Sequence, residues 1–347
     1  MTHTRGYAAL APKEDLVPFE FERREVGAND VAFDIAFAGI CHSDIHQARE
    51  EWGKALFPMV PGHEIVGTVT SIGSNVTRFK VGDTIGVGVF IDSCRHCPNC
   101  KRGLQQYCLE GMTGTYNGYE RNSENIAFGG YSKHFVIHED YAIHIPSNLS
   151  LPGVAPLLCA GITLYSPIRH WKVSRGTKVA VMGLGGLGHM GVKFAAALGA
   201  EVTVLSHSPA KEKDARDMGA HHFISTKNDD WQKPLRKNFD LILNTVSADL
   251  DLEPYLSTLA TDGTLVIIGL PGKPYSINAG TMLDGRRSIA GSMIGGMPEL
   301  QEMMNFCGEQ NIVSDVEVIN ADYINKAYER TVNSDVKYRF VIDASTF

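Results

Sequence analysis

The chain has 347 residues, of which 44% are hydrophobic and 20% are charged. These fractions are typical of a globular protein with ample core, and the length corresponds to about two domains. The formal net charge of -7 gives no reason to expect binding to nucleic acid. No block of lysines and arginines indicates attachment to a membrane surface.

The first half of the chain is predicted to be rich in β-structure. Short runs of β-branched and aromatic residues predict strands at residues 31–37, 65–72 and 85–91. A Val-Gly-Asp turn at residues 81–83 precedes the third of these strands. We therefore expect a β-rich first domain with short strands and glycine turns.

The second half alternates strands with helices. Strands are expected at residues 178–182, 201–205, 239–244 and 263–268, with helices at residues 187–198 and 210–218. This alternation predicts a parallel, doubly wound sheet, so the fold class is α/β. A helix at residues 299–310 and a strand at residues 339–343 complete the predicted elements.

Cysteine usage and the N-terminal sequence predict a reducing location. The first residues, MTHTRGYAALAPKEDL, contain no apolar signal segment. The most apolar long stretch, residues 178–204, is interrupted by glycines, by His189 and by Lys193, so we expect no membrane span. Seven cysteines, an odd number, fit a disulfide framework poorly. Together these features predict a cytoplasmic protein.

Four cysteines lie close together in the first half. They have the spacing C-x2-C-x2-C-x7-C and are Cys94, Cys97, Cys100 and Cys108. Four thiolates can close a tetrahedron around one Zn²⁺ and leave no position for a substrate, which is the structural type of zinc site. Disulfides and an iron–sulfur cluster are the alternatives, but in a cluster the fourth cysteine is expected closer to the third.

A glycine-rich segment indicates a dinucleotide site. The run Gly183-Leu-Gly185-Gly186-Leu187-Gly188 follows an apolar strand and opens a helix, which is the context that G-x-G-x-x-G requires. In that context the backbone approaches a pyrophosphate at the helix N-terminus. The alternative is a glycine turn that only packs the helix on the strand.

The residues after the second strand of this domain favour NADP(H) over NAD(H). An NAD site needs an acidic residue there to bind the ribose 2′-hydroxyl. This chain has Ser206 and His207 at that point, with Lys211 close behind, and Glu201 lies at the opposite end of the strand. These side chains suit a 2′-phosphate, although a polar loop that does not discriminate between the cofactors is the alternative.

Three further segments carry metal-ligand chemistry. They contain Cys41 in Gly-Ile-Cys-His-Ser-Asp-Ile-His, His63 in Pro-Gly-His-Glu, and Cys159 in Leu-Cys-Ala-Gly. Two thiolates and one imidazole can bind zinc and leave one position open, as catalytic sites do. Spacing alone does not join the three, because a lone buried cysteine is more often part of a core.

The order of these motifs resembles that of the zinc-dependent medium-chain alcohol dehydrogenases. The segments G-x-C-H-S-D-x-H, P-G-H-E-x-x-G, the four-cysteine run, L-x-C-A-G-x-T and G-L-G-G-L-G follow one another along the whole chain. The finer match is to the cinnamyl alcohol dehydrogenase branch. It is carried by the runs Gly-Gly-Tyr-Ser around Tyr131, Cys-Ala-Gly-Ile-Thr-Leu-Tyr-Ser-Pro from Cys159, Gly-Ser-Met-Ile-Gly-Gly from Gly291, and Val-Lys-Tyr-Arg-Phe-Val-Ile-Asp from Val336.

The resemblance implies a fold with two domains. A β-rich GroES-like catalytic domain would cover residues 1–159 and be completed by residues 294–347. It would carry the segment with the four clustered cysteines, Cys94 to Cys108, which we call the four-cysteine lobe. A doubly wound Rossmann domain that binds NADP(H) would cover residues 160–293. A homodimer formed near residues 285–300 is also implied.

The resemblance also assigns roles around the catalytic zinc. Alcohol dehydrogenase is itself the standard example of a Cys₂His zinc site, so the zinc-site pattern and the family resemblance are not independent arguments. Its ligands would be Cys41, His63 and Cys159. Glu64 would be a possible alternate ligand, with a buried structural carboxylate as the other interpretation. The proton-handling and supporting residues would be Asp44 beside the histidine ligand, Ser43 as the hydroxyl that passes the substrate proton, and His46 as the base. For His46, the alternative is a histidine on the surface of a helix.

The cofactor and the substrate would each contact a further set of residues. The cofactor residues implied are Ser206, His207 and Lys211 at the 2′-phosphate, Gly183, Gly185, Gly186, Leu187, Gly188 and Arg339 at the pyrophosphate, and Thr163, Ser292, Met293 and Ile294 at the nicotinamide. The substrate pocket would include Phe90 and Ile294, with Trp52 and Phe57 as candidates for which core packing is the alternative. Gly114 stands where plant members of the branch carry a tryptophan, which predicts a wider pocket.

The implied function is reduction of aldehydes, or oxidation of primary alcohols, by an enzyme with two zinc ions per chain and NADP(H). Aromatic and medium-chain aliphatic aldehydes are the expected substrates. The alternatives are an NAD-linked polyol or secondary alcohol dehydrogenase of the same superfamily, and a non-enzymatic relative that senses zinc or redox state. No partner other than a small-molecule substrate and a second copy of the chain is expected.

Overall fold

The structure is a computed structural model that describes residues 2–347. The chain divides into two compact units. The first unit extends to Ile162 and includes the C-terminal segment Gly295–Phe347, and the second unit is Thr163–Ile294. The first boundary was predicted after residue 159 and lies three residues later, after Ile162. The second was predicted before residue 294 and lies one residue later, before Gly295.

Strands occur throughout the described residues. In chain order they are β1 (Thr2–Ala8), β2 (Val17–Arg23), β3 (Asp30–Gly39), β4 (Ile65–Ile72), β5 (Thr84–Val87), β6 (Phe90–Asp92), β7 (Thr113–Gly114), β8 (Gly118–Tyr119), β9 (Ile126–Ala127), β10 (His134–His138), β11 (Ile143–His144), β12 (Lys178–Met182), β13 (Glu201–Ser206), β14 (His222–Ser225), β15 (Phe239–Asn244), β16 (Leu259–Ile267), β17 (Ser288–Gly291), β18 (Val316–Ile319) and β19 (Arg339–Asp343).

The helices are mostly short. They are α1 (His42–Ala48), α2 (Pro98–Lys101), α3 (Leu151–Val154), α4 (Ala160–His170), α5 (Gly188–Ala197), α6 (Glu212–Asp217), α7 (Glu253–Leu256), α8 (Ala279–Leu283), α9 (Met297–Gln310) and α10 (Ile324–Val332). Among residues 2–347, no single helix is long and apolar enough to cross a membrane. The bent pair Leu151–Leu158 and Ala160–His170 passes that test by length and composition alone.

The first unit is built on one seven-stranded sheet. Its main path has the order β11-β5-β4-β3-β19-β18, and β10 also pairs with β3. The central strand β3 is antiparallel to β4, β10 and β19, so that chain segments from both ends of the sequence meet on it. Helix α10 buries Ile324, Ala327, Tyr328 and Thr331, the spacing of an amphipathic helix that packs one face on a sheet.

The second unit contains a six-stranded parallel sheet. Its order is β14-β13-β12-β15-β16-β17, which is the order 3-2-1-4-5-6 of a dinucleotide-binding fold when its strands are numbered from β12. Strands such as β12 and β15 are almost entirely buried, as expected where helices cover both faces of a parallel sheet. The predicted doubly wound sheet is confirmed.

Several predicted elements coincide with observed ones, and two differ for visible reasons. The strands predicted at residues 65–72, 178–182, 239–244 and 339–343 are confirmed. The strand predicted at residues 85–91 is interrupted, because the carbonyl groups of Gly88 and Val89 accept hydrogen bonds from Thr115 and the chain changes sheet. The strand predicted from Gly263 begins earlier, at Leu259, and its pairing with β15 shifts register between Phe239 and Leu241.

Candidate active site and metal centres

The carboxylate of Asp44 organises the first metal-ligand group. Asp44 lies in the first turn of α1, and its side chain is fully buried. Its Oδ2 accepts hydrogen bonds from the backbone of Cys41 over 2.8 Å and from the phenol of Tyr131 over 3.0 Å. Its Oδ1 accepts from the backbone of Gly62 over 3.2 Å and lies 3.1 Å from His63 Nδ1. This carboxylate therefore fixes two segments that each contain a candidate metal ligand.

The structure brings Cys41, His63 and Cys159 together. Their ligand atoms, with a carboxylate oxygen of Glu64, lie within 4.8 Å of one another. The sulfur atoms of Cys41 and Cys159 are 4.0 Å apart, close to the ~3.8 Å expected for two thiolates on one tetrahedral zinc ion. Within residues 2–347, the buried His63 Nε2 has no hydrogen-bond partner. A metal ion satisfies such an atom, so this donor set fits zinc.

The electrostatics of this group favour a cation. The thiol of Cys159 lowers the pKa of Cys41 well below its usual range, and the positive charge of Arg339 adds to that effect. Burial disfavours a charged imidazole, but Asp44 and Cys41 together outweigh burial and raise the pKa of His63. The surroundings therefore favour a thiolate at Cys41 and a positive charge beside the ring of His63. A zinc ion bound between these two residues supplies that positive charge.

Glu64 and Arg339 form a buried ion pair beside the thiols. Arg339 Nη2 donates to Glu64 Oε1 over 2.5 Å and to the carbonyl oxygen of Ile40 over 2.8 Å. Glu64 Oε2 is buried and has no hydrogen-bond partner in the described part of the chain. Burial raises the pKa of Glu64, and the positive charge of Arg339 opposes this rise. The assignment of Arg339 to a pyrophosphate and of Glu64 to a metal both stay predictions.

Ser43 and His46 share the face of α1 that follows Cys41. Ser43 Oγ lies 3.6 Å from the sulfur of Cys41, and His46 follows one helical turn later. His46 Nδ1 is 2.5 Å from a carboxylate oxygen of Glu51, and the indole of Trp52 stacks on the histidine ring at 4.8 Å. Trp52 therefore contacts the proposed base, and its place in a substrate pocket stays a prediction.

The other candidates for the substrate pocket lie in different surroundings. Phe57 is partly buried, whereas Phe90 is only 3% exposed and packs edge-on against Tyr141. Gly114 is the register partner of Phe90 across β6 and β7. A Cβ atom at Gly114 would make one tight contact, at 3.1 Å from the carbonyl oxygen of Tyr116, and would meet no other atom within 4 Å.

The four cysteines of the lobe are also brought together. Their sulfur atoms lie within 4.8 Å of one another, and all four thiols are free of disulfides. Backbone N–H groups point at these sulfur atoms, from Cys94 to Cys108, from Cys97 to Cys94 and from Cys100 to Cys97, over 3.3–3.4 Å. Backbone N–H groups of Leu109 and Cys100 lower the pKa of Cys97 to about 6. The lobe therefore fits a closed four-thiolate zinc site.

The glycine loop of the second unit leaves space for a phosphate group. Gly183 has a φ of +84°, a conformation that suits glycine and makes the tight turn after β12. A Cβ atom at Gly188 would lie 2.1 Å from the carbonyl oxygen of Gly183, whereas nothing lies within 4 Å of one at Gly185. Gly188 thus permits close packing of α5, and Gly185 leaves the backbone open to a ligand. Gly186 and Leu187 complete the loop before the helix.

Ser206 ends β13, and Lys211 returns toward the glycine loop. Lys211 Nζ donates to the carbonyl oxygen of Leu184 over 2.7 Å, so the ammonium group lies beside the loop. Ser206 is buried, and His207 after it is exposed. Glu201, at the opposite end of the strand, pairs with His222. The end of β13 thus presents hydroxyl, imidazole and ammonium groups.

The predicted nicotinamide residues lie at other points of the second unit. Thr163 is buried within α4. Ser292 follows β17 and donates its backbone N–H to Ile267, and Met293 is 43% exposed. Ile294 has a φ of +40°, which is strained for a β-branched residue. Their contact with a cofactor stays a prediction.

Sequence reasoning missed two features of this site. Tyr131 belongs to a motif that carries the family resemblance, but no sequence pattern predicts that its phenol donates a hydrogen bond to Asp44. The pairing of Arg339 with Glu64 joins residues 275 positions apart, and no local pattern points to it. For Tyr131, the one signal in the sequence is a tyrosine within the glycine-rich run Gly-Gly-Tyr-Ser.

Comparison with known proteins agrees with this geometry. The family described as the alcohol dehydrogenase GroES-like domain matches residues 27–147, and the zinc-binding dehydrogenase family matches residues 186–309. The chain is 54% identical to the NADP-dependent alcohol dehydrogenase C 1 of Mycolicibacterium smegmatis, over 100% of this chain and 99% of that protein. It is 49% identical to an aldehyde reductase of Escherichia coli, over 99% and 98% of the two chains.

A solved structure gives the finer placement. A cinnamyl alcohol dehydrogenase from Sorghum bicolor superposes with a TM-score of 0.96 at 41% identity, covering 99% of this chain and 98% of that one. The chain belongs to the zinc-dependent medium-chain alcohol dehydrogenases, in the cinnamyl alcohol dehydrogenase branch. It is accordingly an oxidoreductase, and the predicted GroES-like and Rossmann folds are confirmed.

Proposed function

We propose that this chain is an NADP(H)-linked enzyme that interconverts primary alcohols and aldehydes and reduces aromatic and medium-chain aliphatic aldehydes. The observation that carries the proposal is the donor set of Cys41, His63 and Cys159, with His63 Nε2 buried and lacking a partner among residues 2–347. Two thiolates and one imidazole leave one position of a tetrahedral zinc ion for a substrate oxygen.

Two zinc ions would be held by separate parts of the first unit. The catalytic ion would be held by Cys41, His63 and Cys159, with Glu64 as an alternate ligand through its unpartnered Oε2. The structural ion would be held by the four cysteines of the lobe. When bound, zinc polarises a carbonyl group as a Lewis acid, and the reduced nicotinamide supplies the hydride.

Residues of α1 would deliver the proton that completes the reduction. Ser43 Oγ lies beside the ligand sulfur of Cys41 and would donate its proton to the oxygen of the reduced substrate. His46 would resupply that proton, and its Nε2 is the available atom because Nδ1 is engaged by Glu51. Asp44 would keep His63 in the tautomer that presents Nε2 to the metal.

Preference for NADP(H) is supported by the end of β13 and by the name of a relative. Ser206, His207 and Lys211 offer a 2′-phosphate two hydrogen-bonding groups and one positive charge. The relative at 54% identity is described as NADP-dependent. The pyrophosphate would lie over the glycine loop, and the nicotinamide would lie near Thr163 and residues 292–294.

The substrate pocket, the oligomeric state and the cellular location are proposed from membership of the cinnamyl alcohol dehydrogenase branch. Trp52, Phe57 and Phe90 would line the part of the substrate pocket that the first unit supplies, which Gly114 would widen. A homodimer formed near residues 285–300 and a cytoplasmic location complete the proposal.

The test is oxidation of NADPH and NADH by the zinc-loaded protein with cinnamaldehyde and benzaldehyde. The proposal predicts rapid turnover with NADPH and little with NADH. Oxidation of mannitol or secondary alcohols with NAD⁺, without reduction of the aromatic aldehydes, would instead identify the polyol or secondary alcohol dehydrogenase.

A further inference from the structure

A second group of metal-ligand atoms adjoins the four-cysteine lobe. It consists of Cys94, His96 and Glu110, whose ligand atoms lie within 4.8 Å of one another. His96 Nε2 is 2.7 Å from a carboxylate oxygen of Glu110. A surface ion pair of this kind contributes little to stability, typically about 0–1 kcal/mol. Stability therefore does not explain why the His96–Glu110 pair lies beside the thiol of Cys94.

The histidine is oriented as metal-binding histidines commonly are. His96 Nδ1 lies 2.7 Å from the carbonyl oxygen of Cys94, and a carbonyl oxygen can only accept a hydrogen bond. Nδ1 is therefore the donor, and Nε2 is the nitrogen directed at Glu110. A histidine whose Nδ1 donates to a backbone carbonyl has its Nε2 fixed as the metal ligand.

Solvent exposure decreases from His96 and Glu110, through Cys94, to the other three cysteines of the lobe. The side chains of His96 and Glu110 are 71% and 48% exposed. Cys94 is partly exposed, whereas the other three lobe cysteines are buried. An ion that arrives from water can thus reach His96, Glu110 and Cys94 before it reaches any other thiol.

We propose that Cys94, His96 and Glu110 form a loading site through which Zn²⁺ enters and leaves the four-cysteine lobe. Cys94 belongs to both groups, so an ion can keep its bond to that sulfur while it exchanges the others. Binding of the ion displaces the proton of the Cys94 thiol and the proton that His96 Nε2 donates to Glu110, and both protons pass to solvent. As the ion moves into the lobe, its bonds to the His96 nitrogen and the Glu110 oxygen break and bonds to three further sulfur atoms form, while the protons of those three thiols pass to solvent. No electron is transferred. The proposal rests on zinc in the lobe and does not depend on the substrate.

The kinetics of metal exchange in the zinc-loaded protein test this proposal. Cd²⁺ is a suitable probe, because soft thiolate ligands bind soft metal ions strongly. Its uptake by four thiolates is followed by ultraviolet charge-transfer absorption, and the chemical shift of ¹¹³Cd distinguishes the four-thiolate lobe from the site of Cys41 and His63. The variants are His96→Ala and Glu110→Gln. The control is His3→Ala, which removes another exposed histidine that pairs with a glutamate, Glu20, outside the lobe.

Exchange at the lobe should be roughly tenfold slower in both variants, which corresponds to about 1.4 kcal/mol in the barrier. Zinc content at equilibrium should be unchanged, because a site that is occupied only during transfer alters rates and not affinity. The control should exchange at the wild-type rate. His96→Cys should restore rapid exchange, since a thiolate replaces the imidazole as a ligand.

Two results would overturn the proposal. Unchanged exchange in both variants would show that the ion takes another path. Slower exchange in equal measure at the lobe and at the other zinc site would show that the substitutions act on the opening of the whole unit. If His96→Ala fails to fold, Glu110→Gln compared with the His3→Ala control still tests the proposal, because glutamine keeps a polar side chain at the surface.

Discussion

The phenol of Tyr131 donates a hydrogen bond to Asp44 Oδ2 over 3.0 Å, inside the first unit. Both side chains are fully buried, so neither group can exchange this bond for one with water. Asp44 in turn lies 3.1 Å from His63 Nδ1. Tyr131 therefore acts on the candidate zinc ligand through a carboxylate, as a positioning residue.

Replacing Tyr131 with phenylalanine should weaken zinc binding at the site of Cys41 and His63. Loss of a group that supports a ligating histidine typically lowers metal affinity by about 10–100-fold. Zinc competition against a chelator measures this, and turnover at saturating zinc should recover in part. Tyr141→Phe is the matched control, because its phenol lies 2.8 Å from Ser93 Oγ instead. Equal zinc affinity in Tyr131→Phe and the wild type would contradict the positioning role.

Replacing Cys94 with serine should remove the lobe zinc and leave the other ion bound. A four-thiolate site contributes folding free energy directly, so the melting temperature should fall and aggregation should increase. Metal analysis should give one zinc per chain in place of two. An unchanged melting temperature together with one zinc per chain would show that the lobe is dispensable for stability.

Replacing Ser206 with aspartate should move cofactor preference from NADPH toward NADH. A carboxylate at the end of β13 would repel a 2′-phosphate and accept a hydrogen bond from a ribose hydroxyl. The ratio of kcat/KM for the two cofactors should change by about 100-fold, or about 2.7 kcal/mol. Glu201→Gln, at the opposite end of the strand, should leave the ratio unchanged. If the ratio of kcat/KM for NADPH and NADH is unchanged in Ser206→Asp, another residue discriminates between the two cofactors.

Replacing Gly114 with tryptophan should narrow the substrate range. Gly114 lies opposite Phe90, its φ is not positive, and a Cβ atom there meets one oxygen at 3.1 Å, so a side chain requires a shift of only a few tenths of an ångström at Tyr116. Rates with the bulkiest aldehydes should fall, while those with short aliphatic aldehydes should be retained. If kcat/KM changes by the same factor for all aldehydes, Gly114 does not face the pocket.

Cys307 should resist alkylation in the folded protein. Burial raises the pKa of its thiol to about 12. At pH 8 only about one thiol in 10⁴ is then ionised, and the side chain is fully buried. Mass spectrometry after iodoacetamide treatment should find Cys307 unmodified in the native protein and modified in denaturant. Rapid modification of the native protein would contradict this burial.

The sequence predicted those features that depend on neighbouring residues. The glycine loop, the strands at residues 178–182 and 239–244, and the spacing of the lobe cysteines are all local patterns. The contacts that shape the catalytic group are not local. Tyr131 and Asp44 are 87 positions apart, and Arg339 and Glu64 are 275 apart, so only the folded sheet brings them together.

A different limit applies to the strand boundaries. The break between β5 and β6 depends on hydrogen bonds from Thr115 to Gly88 and Val89, and such a partner cannot be read from the strand's own residues. The early start of β16 depends on a register shift against β15. In both cases pairing with a distant segment decides where the strand begins or ends.

The most direct test of the account compares His63→Ala with the wild type for zinc content and for NADPH-dependent reduction of cinnamaldehyde. The substitution removes the one imidazole in the proposed Cys₂His site. We predict one zinc per chain, the lobe ion, with wild-type circular dichroism and kcat/KM lower by at least about 10³-fold, or about 4 kcal/mol. Two zinc ions per chain, or undiminished turnover, would contradict the assignment of the catalytic site.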